Sequence, residues 1–135
     1  MGIEVDKNML EKHIFPNAIA QIKNYLNAME NRNLTLAKSF LGNNFKLVFP
    51  GDNIFSSLEE VIDWAKLRYH WVKKNYDHFD PLISDDIIIV YCYGTLYGEW
   101  LDGGAFSKIR FIDRFTLKDG KLSDQIVWND LAEYK

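Results

Sequence analysis

The sequence predicts an α+β fold in which helices precede a curved antiparallel sheet. Apolar residues recur at three- and four-residue spacing through the first half of the chain, which is typical of amphipathic helices. From Asp77 onward, apolar and polar residues alternate instead, as they do in half-buried strands. Tight-turn sequences join the long strands, and strands joined in this way must be antiparallel. The predicted order of elements is α-α-β-α-β-β-β-β.

Length and composition are typical of a globular protein. The chain has 135 residues, of which 47% are hydrophobic and 15% aromatic, so we expect one domain over 1–135 with a sizeable core. A net charge of -3 gives no indication of a basic surface that would bind nucleic acid or an anionic membrane. Cys92 is the only cysteine, which excludes an internal disulfide and favours a reducing compartment. Without a signal-peptide pattern or a membrane-length apolar run, we expect a cytoplasmic protein.

The first two helices are predicted from their terminal residues. Residues 1–12 are interpreted as a loose, partly helical lead-in. Pro16 suits the first turn of a helix, which the apolar spacing extends to about Asn31. Asn33 is a good N-cap for a short second helix, and Gly42 is expected to end it.

The third helix carries a capping-box signature. Ser56 and Ser57 are followed three residues later by Glu59 and Glu60, the spacing at which serine and glutamate side chains satisfy free backbone N–H groups. The spacing of the apolar residues predicts a helix that runs to about Lys74. Tyr69 and Val72 are expected on its inner stripe.

The strands are predicted from alternation and from turn residues. They are expected over 45–49, 78–84, 86–101, 106–118 and 121–130. Pro81 indicates an edge position for the second of these strands, because proline cannot donate a ladder hydrogen bond. The Asp-Gly-Gly sequence at 102–104 and Asp-Gly at 119–120 are hairpin signals.

Alternation along 106–118 distinguishes the two faces of the sheet. Ile109, Phe111, Asp113, Phe115 and Leu117 share the face that is predicted to be buried. On the preceding strand we match the small and apolar Cys92, Gly94 and Leu96 to that inner face. The outer face then carries tyrosines together with Arg110 and Arg114. Such a face suits a subunit interface, and the alternative is a solvated, partly aromatic surface.

Asp113 is the strongest candidate for a functional residue. A carboxylate in the middle of an apolar stripe is costly unless it is paired, protonated or hydrated. Desolvation would raise its pKa toward neutrality, as general acid–base catalysis requires. The alternative is a structural carboxylate that backbone N–H groups, a helix side chain or ordered water satisfy.

Two segments carry a resemblance to a known family. Residues 111–122, Phe-Ile-Asp-Arg-Phe-Thr-Leu-Lys-Asp-Gly-Lys-Leu, resemble the penultimate strand and turn of SnoaL-like proteins, and Trp-Asn-Asp at 128–130 resembles the end of their last strand. The likeness extends over roughly residues 14–132. It implies the nuclear transport factor 2-like, or cystatin-like α+β, fold, which is a strongly bent sheet wrapped around a long helix. It further implies a pocket at the open end of this cone and frequent homodimers.

The resemblance transfers only part of the family's chemistry. Asp113 falls on the position where SnoaL-like cyclases keep their catalytic Asp. The His or Asp that often follows the Gly-Lys-Ile turn in that family is replaced, because Gln125 and Val127 stand near those places. Cys92, Gly94 and Val127 occupy the positions that the related epoxide hydrolases use for catalysis. Epoxide hydrolysis by their mechanism is therefore not expected.

We predict that the implied pocket binds a small apolar molecule. Its predicted lining is Tyr25, Tyr69, Cys92, Trp100, Phe111, Gln125 and Asn129. One hypothesis is cofactor-free acid–base catalysis of the isomerase, cyclase or dehydratase type through Asp113, with Gln125 or Asn129 holding the substrate oxygen. The other is a non-catalytic ligand-binding or dimerisation module with a structural Asp113. No metal is expected, because the histidines and the cysteine show no metal-ligand spacing.

Overall fold

The structure, a computed structural model, describes residues 6–134, with helices at the start of the chain followed mainly by a six-stranded sheet. The helices are α1 (Lys7–Met9), α2 (Phe15–Glu30), α3 (Leu34–Lys38), α4 (Leu58–Lys66) and α5 (Leu131–Tyr134), and a π-helical turn (Leu10–Ile14) joins α1 to α2. The strands are β1 (Leu41–Phe49), β2 (Asn53–Phe55), β3 (Tyr69–Ser84), β4 (Ile87–Trp100), β5 (Ala105–Lys118) and β6 (Lys121–Asn129). Residues 1–5 of the predicted lead-in lie outside the described residues.

The sheet is bent and open, with the strand order β2-β1-β6-β5-β4-β3. Neighbouring strands are antiparallel except β1 and β6, which run parallel with Leu47 opposite Gln125. The predicted α+β fold is confirmed, whereas the expectation of a wholly antiparallel sheet is wrong for this one pair. No tight turn joins β1 to β6, so the turn rule that gives the other directions does not apply to them.

Helix α2 packs on the inner face of the sheet. Tyr25, which has no exposed surface, makes edge-to-face contacts with Phe45 of β1 and Phe115 of β5 at centroid distances of 6.2 and 6.3 Å. Such aromatic pairs add about 1 kcal/mol beyond the burial of their area. The predicted inner stripe of β5 is confirmed, because all its members are buried: Ile109, Phe111, Asp113, Phe115 and Leu117.

The predicted helix starts are confirmed by their capping contacts. Pro16 lies in the first turn of α2. The side chain of Asn33 accepts a hydrogen bond from the N–H of Leu36 at 3.2 Å, and Ser57 accepts one from the N–H of Glu60 at 3.2 Å. These contacts satisfy N–H groups that the first helical turn leaves without a partner.

The predicted end of the third helix is wrong. Helix α4 stops at Lys66, and β3 begins at Tyr69, whereas the apolar spacing predicted a helix to about Lys74. Tyr69 and Val72 suit a helical stripe, but they pair with Trp100 and Gly98 of β4. Aromatic and β-branched residues favour strands, and the hydrogen bonds of this ladder outweigh the local helical preference.

Strand β1 also begins earlier than predicted. It starts at Leu41, so Gly42 lies within the strand and does not end α3, which stops at Lys38. Strand β2 has only three residues and pairs with the end of β1, with Phe55 opposite Leu47. Three residues are too few for alternation to be read from the sequence.

Two glycines of β4 allow β3 to bend. The β3–β4 register shifts between Tyr76 and His78, beside Gly94, and a second shift lies next to Gly98. A Cβ on Gly94 would overlap the backbone carbonyl oxygen of Asn75. The missing side chain therefore accommodates the backbone of the bulged edge strand, a common role of glycine within a strand.

Candidate functional site

A cavity of about 130 Å³ lies between α2, α4 and the inner face of the sheet. Most of its wall is apolar and comes from Leu26, Met29, Leu47, Val61, Ile62, Trp64, Val72, Leu96 and Val127. A cavity of about 150 Å³ accommodates benzene in another protein. The space in this cavity is therefore on the scale of a single ring.

Most of the predicted pocket residues lie together in this lining. They are Tyr25, Tyr69, Phe111, Asp113, Gln125 and Asn129. Cys92 and Trp100 are not among the residues that line the cavity. Cys92 is fully buried opposite Asp113, and burial raises the pKa of its thiol to about 12. Trp100 packs on Phe106 at 4.3 Å and lines a separate surface depression.

A chain of polar side chains forms the interior end of the cavity. The Tyr25 hydroxyl donates to Oε1 of Gln125 at 3.2 Å. Nε2 of Gln125 donates to Oδ2 of Asp113, also at 3.2 Å. Nζ of Lys74 lies 3.2 Å from the same oxygen. Two donors therefore converge on Oδ2. This arrangement suits an ionised carboxylate, whose oxygens act only as hydrogen-bond acceptors.

Asp113 is in an unusual electrostatic environment. It has no exposed surface, and burial raises the pKa of its carboxyl, while Lys74 and the hydrogen bond from Gln125 oppose that rise. Its second oxygen, Oδ1, has no hydrogen-bond donor among the described residues. A buried acceptor without a donor costs about 1 to 3 kcal/mol, so its retention needs an explanation.

Lys74 keeps 20% of its side-chain surface exposed, although it reaches a fully buried partner. Burial alone would lower the pKa of its ammonium, but the charge of Asp113 and the hydrogen bond to it raise this pKa overall. Nζ also lies 5.2 Å from the centroid of the Phe111 ring, and Glu30 accepts the backbone N–H of Lys74 at 3.1 Å. These contacts hold the ammonium at the inner end of the cavity.

Sequence reasoning missed Lys74 because it extended the third helix through this segment. In the structure, Val72, Lys74 and Tyr76 alternate along β3 opposite Gly98, Leu96 and Gly94, which belong to the inner set of β4. The sequence does carry a signal for this strand, because these three residues are spaced two apart. A strand beginning at Tyr69 would have predicted an inward-facing lysine on the strand next to β4.

Asn129 lies both in the cavity lining and at the end of β6. It lines the cavity, and its Oδ1 accepts the backbone N–H of Leu131 at 3.1 Å. The carbonyl oxygen therefore holds the turn between β6 and α5. The amide nitrogen is the end of this side chain that is free of that bond, and it can donate a hydrogen bond.

Two arginines are among the exposed residues of the lining. We call these residues the cavity mouth, and they are Arg32, Pro50, Arg68 and Ala132. The guanidinium of Arg68 stacks on Trp64 at 4.6 Å from the ring centroid, and Arg32 donates to the carbonyl oxygen of Met29 at 2.7 Å. Positive charge therefore surrounds the surface end of the cavity.

Residues 6–134 contain no group of three or more His, Cys, Asp or Glu side chains that could hold a metal ion. Within the same part of the chain, no helix is long and apolar enough to cross a membrane.

Comparison with known proteins identifies the fold. No protein-family model matches the sequence, and no curated protein matches it. An NTF2-like protein of unknown function from Burkholderia pseudomallei K96243 superposes with a TM-score of 0.69 at 16% identity, covering 87% of this chain and 94% of that one. TerC, crystallised with polyporic acid, gives 0.69 at 17% identity and covers 88% and 95%. A candidate SnoaL-like polyketide cyclase from Jannaschia sp. CCS1 gives 0.66 at 13% identity, covering 88% and 89%.

The chain therefore has the nuclear transport factor 2-like fold, as the resemblance in its sequence predicted. Because the sequence identities are below 20%, these superpositions establish the fold alone, and any activity must be argued from the site itself.

Proposed function

We propose that the chain binds a compact, largely apolar carbonyl compound in the cavity and that Asp113 exchanges a proton with it without a cofactor. The observation that carries this proposal is a fully buried carboxylate next to an apolar cavity, held through Oδ2 while Oδ1 has no donor among the described residues. Perturbed carboxylates with a specific charged partner are enriched at functional sites. TerC, which has the same fold, was crystallised with polyporic acid.

The polar groups suit the removal of a proton from the carbon next to a carbonyl. Oδ1 of Asp113 takes the proton, the C–H electron pair forms the new C=C bond, and the carbonyl π electrons move to oxygen. The Lys74 ammonium or the Asn129 amide N–H stabilises the resulting enolate oxygen. In a carbonyl compound with a C=C bond next to that carbon, the enolate is conjugated with this bond. Return of the proton to the far carbon of the C=C bond then gives the conjugated isomer and regenerates the carboxylate, so atoms and charge balance.

Ligand binding without catalysis is a second candidate function. It is favoured by the complete burial of Asp113, because Lys74 and Gln125 together satisfy Oδ2 as they would in a structural ion pair. Under this alternative the apolar cavity binds its ligand, and Asp113 only holds Lys74 in place.

Hydrogen–deuterium exchange into cyclohexanone tests the catalytic proposal. This neutral one-ring ketone matches the scale of the cavity, and proton NMR in D₂O follows exchange at the carbons next to its carbonyl. We expect the wild-type protein to exceed the buffer rate by at least about 100-fold, the lower end of the usual contribution of a positioned general base. We expect Asp113→Asn to return exchange to the buffer rate, since an amide cannot accept the proton.

Asp113→Glu is the matched control, because it keeps a carboxyl group on the same strand. It should retain part of the exchange, and circular dichroism should show that both variants are folded. Wild-type exchange that survives in Asp113→Asn would contradict the catalytic role. Binding of cyclohexanone without any exchange would favour the second candidate.

We also propose that a second copy of the chain covers the outer sheet face, in the cytoplasm. Tyr93, Ile112 and Trp128 lie opposite one another across β4, β5 and β6, and the last two are 45% and 48% exposed. Exposed aromatic and aliphatic residues in a continuous row are typical of subunit interfaces. Arg110 pairs with Asp130 beside this row, which gives it a polar edge.

Analytical ultracentrifugation tests this prediction, because sedimentation reports the oligomeric state. The wild-type protein should sediment as a dimer at micromolar concentration, and Ile112→Glu should shift it to monomer, since a buried unpaired charge opposes association. Ile54→Glu is the control, because Ile54 is 61% exposed on β2, away from this row. A monomeric wild-type protein, or equal effects of the two variants, would refute this interface.

A further inference from the structure

The cavity mouth carries two arginines that have no acidic partner among the described residues, unlike the two arginines of the outer face. The chain contains four arginines. Arg110 pairs with Asp130 at 2.7 Å and Arg114 lies 4.0 Å from Asp124. Among the residues that the structure describes, Arg32 and Arg68 have no carboxylate within ion-pair distance, although both line the cavity.

Both guanidinium groups are held in place without an acid. Arg68 lies over the ring of Trp64, and Arg32 is tied to the carbonyl of Met29. Burial raises the pKa of the Tyr69 hydroxyl, and the positive charges of Lys74, Arg32 and Arg68 oppose that rise. Both arginines are exposed residues of the cavity lining, so their charge lies at its surface end.

Acidic groups in the cavity lining do not cancel this charge. Asp113 faces Lys74 at the inner end, and Glu30 accepts the backbone N–H of Lys74. Counting every charged lining residue, three cations (Lys74, Arg32 and Arg68) face two acids. The excess positive charge lies at the mouth, where a bound molecule would meet solvent.

The backbone at Arg32 has a conformation that is uncommon for a residue other than glycine. Its φ is 57°, a left-handed conformation at the end of α2 where glycine is usual. The N–H groups of Arg32 and Asn33 bond back to the carbonyls of Met29 and Ala28, as in a Schellman ending. Glycine would satisfy this turn with less strain, so Arg32→Gly is expected to leave the fold intact.

We infer that the ligand of this cavity is an organic anion, a one-ring carbonyl compound whose carboxylate is held at the mouth by Arg32 and Arg68. This inference rests on the proposed function, which supplies the ring and its carbonyl group. The apolar walls take the ring, Lys74 and Asp113 face the carbonyl end, and the guanidinium groups bind the carboxylate, which they match in geometry.

A pair of probes that differ only in charge tests this inference. The probes are 3-oxocyclohexane-1-carboxylate and its methyl ester, and calorimetry gives the Kd of each. At about 10 mM salt, where screening extends over about 30 Å, the acid should bind roughly tenfold more tightly than the ester. At about 1 M salt, where the Debye length is about 3 Å, this preference should largely disappear.

Two variants, Arg32→Gly and Arg68→Met, are made separately and together. They show whether these arginines cause the preference for the acid over the ester. Methionine keeps the packing on Trp64, and glycine relieves the positive φ, so the melting temperature should stay the same or rise for Arg32→Gly. The double variant should bind the two probes with equal affinity. Lys108→Gly is the matched control, since Lys108 also has a positive φ of 59° and a positive charge but does not line the cavity.

The outcomes separate this inference from the function on which it rests. Equal wild-type affinities for acid and ester, or a preference that survives in the double variant, would overturn the anionic ligand while cyclohexanone binding stands. A preference lost equally in Lys108→Gly would overturn it too, because net charge alone would then explain it. Failure of cyclohexanone and both probes to bind would overturn the proposed function together with this inference.

Discussion

Replacing Lys74 with methionine is expected to lower the free energy of unfolding at pH 7 by about 3 to 5 kcal/mol. Methionine keeps most of the side-chain volume and removes only the ammonium that faces Asp113 at 3.2 Å. The carboxylate would then be buried without a countercharge, and Oδ1 already lacks a donor among the described residues. Urea denaturation at fixed pH measures the change.

A double-mutant cycle with Asp113→Asn separates pairing from packing. The single Asp113→Asn substitution leaves the Lys74 ammonium without its partner, so it is also expected to destabilise. With both changes made, no charge remains in the site, and stability should return to within about 2 kcal/mol of wild type, because uncharged replacements of buried pairs are often neutral. Additive losses would show that the two groups do not interact, contrary to the structure.

The effect of Lys74→Met should depend on pH in a stated direction. Burial already raises the pKa of Asp113, and removal of the ammonium raises it further above the unfolded value of about 3.9. At pH values between the unfolded and the folded pKa of Asp113, the folded variant binds more protons than the unfolded chain. The stability of the variant therefore falls as pH rises through this range. The loss relative to wild type should therefore be small near pH 4 and grow toward neutrality. A loss that is constant over this range would contradict the assignment.

Gly94→Ala is expected to destabilise the protein by about 3 kcal/mol, the upper end of the usual cost of overpacking. The added Cβ would overlap the carbonyl oxygen of Asn75, and it would approach the backbone nitrogen of Asp77 to 3.0 Å. These atoms belong to backbone in the bulge of β3, so no side-chain rotation removes the overlap. Because Lys74 precedes Asn75, movement of β3 should also displace the ammonium from Asp113.

Gly104→Ala is the control for that substitution. A Cβ there would meet first the side chain of Asp102 at 3.1 Å, which can move, and the φ of Gly104 is not positive. Its cost should stay below about 1 kcal/mol. Thermal or urea denaturation compares the two variants, and equal losses would show that the close approach of β3 to Gly94 does not control stability.

The sequence-based analysis succeeded where a pattern is local. Alternation along β5 placed Asp113 on the inner face, and Gln125 and Asn129 of β6, which were predicted to line the pocket, line the same cavity. Cap residues gave the starts of α3 and α4, because their bonds reach only three residues along the chain. None of these assignments depends on which strands become neighbours.

Two periods compete over the short segment in which the prediction was wrong. Tyr69 and Val72 fit a helical spacing of three residues, yet Val72 and Lys74 also fit a strand spacing of two. Pairing with β4 decides in favour of the strand, and this pairing joins residues between 22 and 31 positions apart. Cys92 and Trp100 were also predicted to line the cavity and do not. Alternation along a strand gives the face on which a side chain lies but not its position relative to the cavity.

By itself the sequence determined an α+β chain with an acidic residue buried in an apolar stripe and a turn-linked sheet. Only the tertiary structure decided what that residue faces. Asp113 of β5 meets Lys74 of β3 across the intervening β4, and the mouth arginines come from chain segments that follow two different helices. The pocket that the family resemblance implied corresponds to a cavity of about 130 Å³, with an ion pair at one end and, at the other, two guanidinium groups without an acidic partner among the described residues. Local periodicity sets the face of each residue, whereas the bulges and the bend of the sheet set the distances between strands.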